Sequence, residues 1–477
     1  MVFLPFFVQN FILDKILLKN KADLHPILRK IVFCVEICYN VVGTRSEWRK
    51  LMRYRELIAQ RSGQTYNSRF EGKGSRRWYQ HDIDIIIYSD MFRKMQRKSQ
   101  LLSICDPVSR SRLIHTFEVV RIAKEISEKL GLNSELTEAI ALAHDFGNVA
   151  YGKEADRFLT EKTQGLFKHE EISVLMLKVC ASRIIPEKYR ESAKKAIQQD
   201  ESKTHILEID EFPFELEVYG YNDEIYYISM SPEVLDGVLK HGKDRTEKII
   251  ADTLEGQVVN YADNIAYLIQ DISDFEATGI FKQKTIERYG ESLLTLQAED
   301  GNKTPPLSDI VGDTTSKRTA ALIERFVNYN KERLENRTYE TTFSETLNAK
   351  IPVLESEEIV SKAIDSCWKF KEEFYENPLI VLSNQDSKAK MEQIWNILDK
   401  NSSFSKNNKC YKEFKELLSS PIFATYREIS GIQATKVWKE WEKACFIAHL
   451  TCDEIDLVIK SFLERDYVFD LSLPKIK

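Results

Sequence analysis

His144 and Asp145 stand side by side at the end of the apolar run Ala139-Ile-Ala-Leu-Ala-His-Asp-Phe-Gly147. A neutral imidazole and a carboxylate at one point of a chain can grip a divalent cation from two directions, so the pair reads as half of a metal site. Two residues elsewhere could complete it. His115 follows Arg112-Leu-Ile, and Asp263 lies in Gln257-Val-Val-Asn-Tyr-Ala-Asp-Asn-Ile-Ala-Tyr-Leu-Ile-Gln-Asp271. At 3.6 residues per turn, Asp263, Tyr267 and Asp271 share one helix face. Val258, Val259, Ile265, Leu268 and Ile269 surround that polar stripe, which then needs a partner such as a cation or a sugar. Taken singly, a histidine among apolar neighbours is an ordinary core residue and an acidic stripe an ordinary solvated face. The ordered set is what points to chemistry.

Helices are needed to hold these residues. Glycine (17) and proline (12) are scarce in 477 residues, and apolar residues recur at three- and four-residue spacing, so the chain reads as mainly α. Leu113, Phe117, Val120, Ile126 and Leu130 predict a helix over residues 111–130, with Gly131 as its stop. Asn133 or Ser134 opens the next helix, with Glu135 in its first turn, and this helix runs to His144-Asp145-Phe146-Gly147. Residues 205–230 alternate in polarity around Gly220-Tyr-Asn-Asp223 and predict an inserted β-hairpin. Helical patterns resume at Pro232 and from about Asp244 to Asp274, residues 299–317 read as a loop, and a helical C-terminal region follows.

Hydrophobic residues at 43% and charged residues at 30% describe an ordinary globular chain, and a net charge of −6 with a pI near 5.9 argues against a protein that coats nucleic acid. The cluster Arg93, Lys94, Arg97, Lys98 is compatible with single-stranded DNA or an effector nucleotide, and more readily with a solvated helix face. The eight cysteines form no C-x-x-C pair, which fits free thiols in a reducing, cytoplasmic setting. The apolar N-terminus lacks a basic leader and is interrupted by Pro5, Gln9 and Asn10, so no membrane span is expected there.

Beyond these single features, the ordered set resembles the HD-domain superfamily of metal-dependent phosphohydrolases, and specifically its deoxynucleoside triphosphate triphosphohydrolase (dGTPase-like) branch. The similarity is carried by Glu47-Trp-Arg-Lys-Leu51, Arg76, Asp82-Ile-Asp84, Ser89-Asp-Met-Phe-Arg93, Gln96-Arg-Lys-Ser-Gln100, Arg112-Leu-Ile-His115-Thr-Phe-Glu118, Ala143-His-Asp-Phe-Gly-Asn148 and Leu254-Glu-Gly-Gln-Val-Val259 through Asp271. It implies an HD helical bundle over residues 46–320 containing the hairpin, a helical region over 321–477, and an extension over 1–45 that is either an extra helix or sequence upstream of the true start. It makes His115, His144, Asp145 and Asp263 ligands of one divalent ion, with Mn or Fe favoured and Mg or Zn compatible. It gives Arg112 a substrate phosphate, Gln100 and Leu101 the sugar 3′-hydroxyl, and Tyr267 and Asp271 the deoxyribose. Asn148 agrees with one branch of the family, and His169 falls in a segment that contacts phosphate or assists catalysis.

One departure matters. Gly147-Asn-Val-Ala-Tyr-Gly-Lys-Glu-Ala-Asp156 places Lys153 where the family has a catalytic histidine, with Asp156 as the acid that supports it. A lysine is a poor base at neutral pH but can donate a proton or stabilise phosphate charge. The implied reaction is hydrolysis of a deoxynucleoside triphosphate to deoxynucleoside and inorganic triphosphate. The alternatives are a catalytically impaired dNTP-binding sensor and another HD-type nucleotide phosphohydrolase. The resemblance also implies a homo-oligomer, a tetramer or hexamer.

Overall fold

The computed structural model describes residues 77–100, 110–199, 205–207, 216–221, 223–241, 250–278, 314–335, 354–355, 376–400, 419–420, 422–423 and 435–463. Of the sequence expectations, the extension 1–45, Leu101 and the proposed loop up to residue 313 lie outside these residues, as does the side chain of Asp271.

The two helices that carry the paired motif form where local chemistry starts and stops them. Helix α3 (Arg112–Leu130) begins where Ser111 Oγ accepts the amide of Ile114, and ends at Gly131 in a left-handed conformation with φ of 67°. Helix α4 (Ser134–Ala143) is capped by Asn133, whose Oδ1 accepts the amides of Glu135 and Leu136. Its last five residues, Ala139 to Ala143, are all buried, so α4 is a central rod. Around it pack α1 (Trp78–Ile87), α3, α8 (Pro232–Leu239) and α9 (Leu254–Thr278). Helix α9 also lies along α3, and this three-way contact is what brings Asp263 opposite His115.

Between α4 and α8 the chain runs through α5 (Gly152–Lys162), α6 (His169–Cys180), β1 (Ser182–Ile184), α7 (Glu187–Gln199), β2 (His205–Leu207), β3 (Leu216–Tyr221) and β4 (Glu224–Ile228). The expected hairpin is present as β3–β4, closing with Tyr221 opposite Glu224. The sheet is larger than that hairpin, with β2 and β1 extending it in the antiparallel order β1-β4-β3-β2. Leu216, Val218, Ile225 and Tyr227 face Ala193 and Ile197 of α7 in a small separate core, while Tyr219 and Ile228 join the main one.

A second correction concerns α9, which begins at Leu254 and not near Asp244. Thr253 Oγ1 accepts the amide of Gly256 and so caps the new helix, and Asp236 Oδ2 accepts the amide of Asp252, fixing residues 250–253 as a non-helical link. Downstream lie α10 (Thr315–Glu335), α11 (Pro378–Lys400), α12 (Thr435–His449) and α13 (Cys452–Leu463). No described helix is long and apolar enough to cross a membrane.

The basic cluster before α3 is taken up by this C-terminal region. Arg93, in α2 (Asp90–Lys94), pairs with Asp90 of the same helix, while Lys94 bonds Glu454 and the carbonyl of His449, and Arg97 pairs with Asp453. Lys98, only 1% exposed, donates to the carbonyls of Asn148 (2.7 Å) and Ala448 (2.8 Å). Burial, together with the charges of Lys94 and Arg112, pushes the Lys98 ammonium from 10.5 down to about 7. Between those two values the unfolded chain holds a proton that the folded chain lacks, so this residue makes stability rise with pH. Urea midpoints at pH 7.5 and 9.5 check it: the stability of the wild type relative to Lys98→Met should increase at the higher pH, and an unchanged difference contradicts the assignment.

Candidate metal centre

His144 sits one residue past the end of α4, where the buried helix delivers it to the middle of the protein. Its Nδ1 donates to the carbonyl of Ala141 at 2.7 Å, which turns Nε2 towards Asp145 Oδ2 (3.5 Å) and Asp263 Oδ1 (3.8 Å). That Nε2 is buried and has no hydrogen-bond partner among the described residues. His115, on the first turn of α3, brings its Nε2 to 3.0 Å from Asp263 Oδ1 and 4.0 Å from Asp145 Oδ2. One ligand atom from each of His115, His144 and Asp263 falls within 4.8 Å of the others. An orphaned buried imidazole nitrogen facing two carboxylates is the environment a divalent cation satisfies, and two imidazoles with carboxylate oxygens suit a transition ion.

The electrostatics agree with that donor chemistry. Burial holds His144 below the ordinary imidazole range, which leaves it neutral. Burial alone would raise Asp145, but His144 and Arg112 beside it hold its carboxyl well below the usual carboxylate range. Asp263 is lowered too, the hydrogen bond from His115 outweighing its own burial. Asp145 therefore stays ionised while almost wholly out of water. Arg112 Nη1 donates to Asp145 Oδ2 at 3.0 Å, and Asn148 donates its amide to Oδ1.

The remaining expected residues fall around this cluster with two changes of role. Lys153 is exposed on the first turn of α5 with its ammonium 4.3 Å from the centre of the Tyr267 ring, a cation–π contact that joins two of the predicted positions. Asp156, expected to support Lys153, also faces His169, Oδ1 to Nδ1 at 3.6 Å. Burial opposes charge on His169, but the carboxylates of Asp156, Glu170 and Asp145 around it raise it to about 9. Gln100 is buried beside the start of α3, and its Oε1 has no hydrogen-bond partner among the described residues, as a ligand-facing amide would.

His241 is the participant that the sequence reading misses. It lies just past α8, 2% exposed, with Nδ1 donating to the carbonyl of Val238 at 2.6 Å and Nε2 3.8 Å from Asp145 Oδ1.

The sequence profile of the HD domain matches residues 112–268, an interval that opens on Arg112 and contains all four expected ligands. Curated relatives include deoxyguanosinetriphosphate triphosphohydrolase-like proteins of Clostridium tetani (29% identity, covering 57% of this chain and 62% of the relative) and Clostridium perfringens strain SM101 (33%, covering 43% and 49%). Another, from Desulfatibacillum aliphaticivorans, is 30% identical over 49% of this chain and 62% of its own length. Residues 112–268 of this chain thus match the HD domain, and the relatives are dGTPase-like proteins. The chain spans between 49% and 62% of the length of these relatives.

Within the HD domain the loop after the His144-Asp145 pair is set by a close approach at Gly147. A methyl group there would strike the backbone carbonyl of His169 and come within 2.6 Å of the Ser173 amide nitrogen. The glycine amide instead donates to Ser173 Oγ at 2.7 Å, and that hydroxyl donates to the His144 carbonyl. Gly147→Ala should therefore push α6 away, costing about 1–3 kcal/mol and visible as a lowered thermal midpoint. The His169 pair gives a second expectation: in the metal-free protein, Asp156→Asn should bring the His169 imidazole titration, followed by NMR, down from about 9, and an unmoved titration contradicts the pairing.

Proposed function

We propose that this HD-domain protein is a metal-dependent hydrolase of deoxynucleoside triphosphates, releasing a deoxynucleoside and inorganic triphosphate. The observation that carries the reading is the convergence of His115, His144 and Asp263 from three separated elements within 4.8 Å, around an unpartnered His144 Nε2. The names of the relatives support the nucleotide. His115, His144, Asp145 and Asp263 would hold the ion, with Mn or Fe favoured and Mg or Zn compatible. A cation held there supplies Lewis-acid polarisation of a phosphate and acidifies water.

The chain's own residues do the rest. Arg112 already lies against Asp145 and has an unpartnered Nε among the described residues, so its planar fork can turn one edge to a phosphate while the other stays anchored. Lys153 brings a cation to the Tyr267 ring, placing positive charge beside the proposed sugar site. Gln100 Oε1 offers a buried acceptor to the sugar 3′-hydroxyl. As a cation at neutral pH, Lys153 serves as an electrostatic group, neutralising charge on the phosphates.

Lys153 also favours a second reading, a catalytically silent dNTP sensor, because it stands where relatives of the implied type carry an acid–base histidine. Incubation of the Mn-loaded protein with each of the four dNTPs, with inorganic triphosphate and monophosphate resolved, decides between them. The proposal expects triphosphate from at least one dNTP, loss of turnover in His115→Ala, and a fall of about 10²- to 10³-fold in Arg112→Ala. Binding without any product, together with turnover gained by Lys153→His, would establish the sensor.

A further inference from the structure

Tyr151 takes a left-handed conformation, φ 66°, and Gly152 after it takes another, φ 71°. Glycine adopts that region freely, whereas a bulky side chain holds it only where its surroundings impose it. Tyr151 is buried, and its hydroxyl lies 2.9 Å from the Cys452 carbonyl and 2.7 Å from Asp456 Oδ1, both on α13. Lys390 of α11 stands over the ring, 4.7 Å from its centre, and pairs with Asp456 at 3.0 Å. Two residues further along the chain, Lys153 lies over the Tyr267 ring of α9. We propose that Tyr151 is a positioning residue: its hydroxyl, held by α13, sets the turn that carries Lys153 to Tyr267.

The path of the chain explains how a hydroxyl can act at a distance. Tyr151 is the N-cap of α5, a position from which a short polar side chain commonly bonds the first amides of a helix. It makes no such bond, and its polar end goes to α13 instead. Residues 151 and 152 turn the chain together, so rotation at either one swings the start of α5, and Lys153 sits in its first turn. The upstream half of the loop absorbs little of that rotation. Lys98 ties the Asn148 carbonyl to that of Ala448, and Val149 and Ala150 are packed in the core. The displacement therefore falls on Lys153. Attraction between an ammonium and a ring face holds within about 6 Å of the ring centre, and the Lys153 ammonium stands at 4.3 Å, so a small swing breaks the contact. The bearing of this turn on substrate rests on the electrostatic role proposed for Lys153, while the placement of Lys153 by Tyr151 does not.

Nuclear magnetic resonance of the full-length protein, isotope-labelled at the lysine ε-carbons, reads the position of Lys153 directly, because protons held over a ring face are shifted upfield. The Lys153 signal is identified by its absence in Lys153→Met. It should lie upfield in the wild type and move to the ordinary lysine position in Tyr151→Phe. In Asp456→Ala, where the Cys452 carbonyl still holds the hydroxyl, it should move part of the way, and Asp456→Asn, which keeps a hydrogen-bonding group there, should restore it. Lys162 over Phe158 and Lys443 over Trp395 report on the rest of the fold, and their signals should stay in place. Calorimetry with inorganic triphosphate reads the consequence. Binding should weaken roughly tenfold in Lys153→Met, by no more than that in Tyr151→Phe, and no further in the double variant. A Lys153 signal that remains upfield in Tyr151→Phe overturns the positioning role. So do control signals that move with it in both Tyr151→Phe and Asp456→Ala, since Tyr151 is then a packing residue. If the Lys153 signal moves as expected while Lys153→Met binds triphosphate as the wild type does, Tyr151 stands as a positioning residue and the phosphate role of Lys153 falls.

Discussion

An ionised carboxylate sealed from water is the constraint on which the rest of this structure depends. Asp145 is 5% exposed yet remains charged, so the loss of its hydration has to be offset from every direction. Arg112 covers one oxygen, Asn148 the other, and three histidines complete the enclosure. Those groups come from three places, Arg112 and His115 from α3, His144 and Asn148 from the segment after α4, and His241 from just past α8, and the surrounding elements are placed by apolar contacts: α4 by its run of buried alanines and leucine, α3 and α9 by their packing on it, and α6 by the bare backbone of Gly147. The hydrophobic core supplies the stability that lets so costly a polar centre exist.

The C-terminal helices take part in that enclosure although they contribute no ligand. Lys98 ties the carbonyl of Asn148 to that of Ala448, at the end of α12. Tyr151 holds a left-handed conformation, φ 66°, that a non-glycine residue adopts at some cost. Its hydroxyl donates to the Cys452 carbonyl and lies 2.7 Å from Asp456 of α13, while Lys390 of α11 lies over its ring. The loop between the His144-Asp145 pair and α5 is thus fastened at both ends by residues from the far end of the chain.

What could be read from sequence follows the range of the interactions involved. The limits of α3 and α4 were legible because caps act within four residues: Ser111, Asn133 and Gly131 announce themselves. The hairpin was legible from alternation around its turn, and the residues that gather at the candidate centre from motif order. Thr253 is a cap of the same local kind, and overlooking it moved the start of α9 by about three turns. The pairing of Asp156 with His169 was hidden because it depends on how α5 and α6 lie against each other. His241 was hidden for the same reason: a single histidine after a helix says nothing until folding brings it to Asp145. The basic cluster at residues 93–98 misled because its acidic partners Asp453 and Glu454 lie far along the chain.

The anchoring of Asn148 and Tyr151 has a consequence for the order in which the protein can be made. Chains emerge from the ribosome N-terminus first and their domains tend to fold in that order. When Asp263 has emerged, every candidate ligand of the proposed cation site exists, yet Ala448, Cys452 and Asp456, which hold the adjoining loop, are still to be synthesised. The centre can be assembled early but is finished last, so a chain interrupted before α12 carries the chemistry without the fastening that keeps it in place.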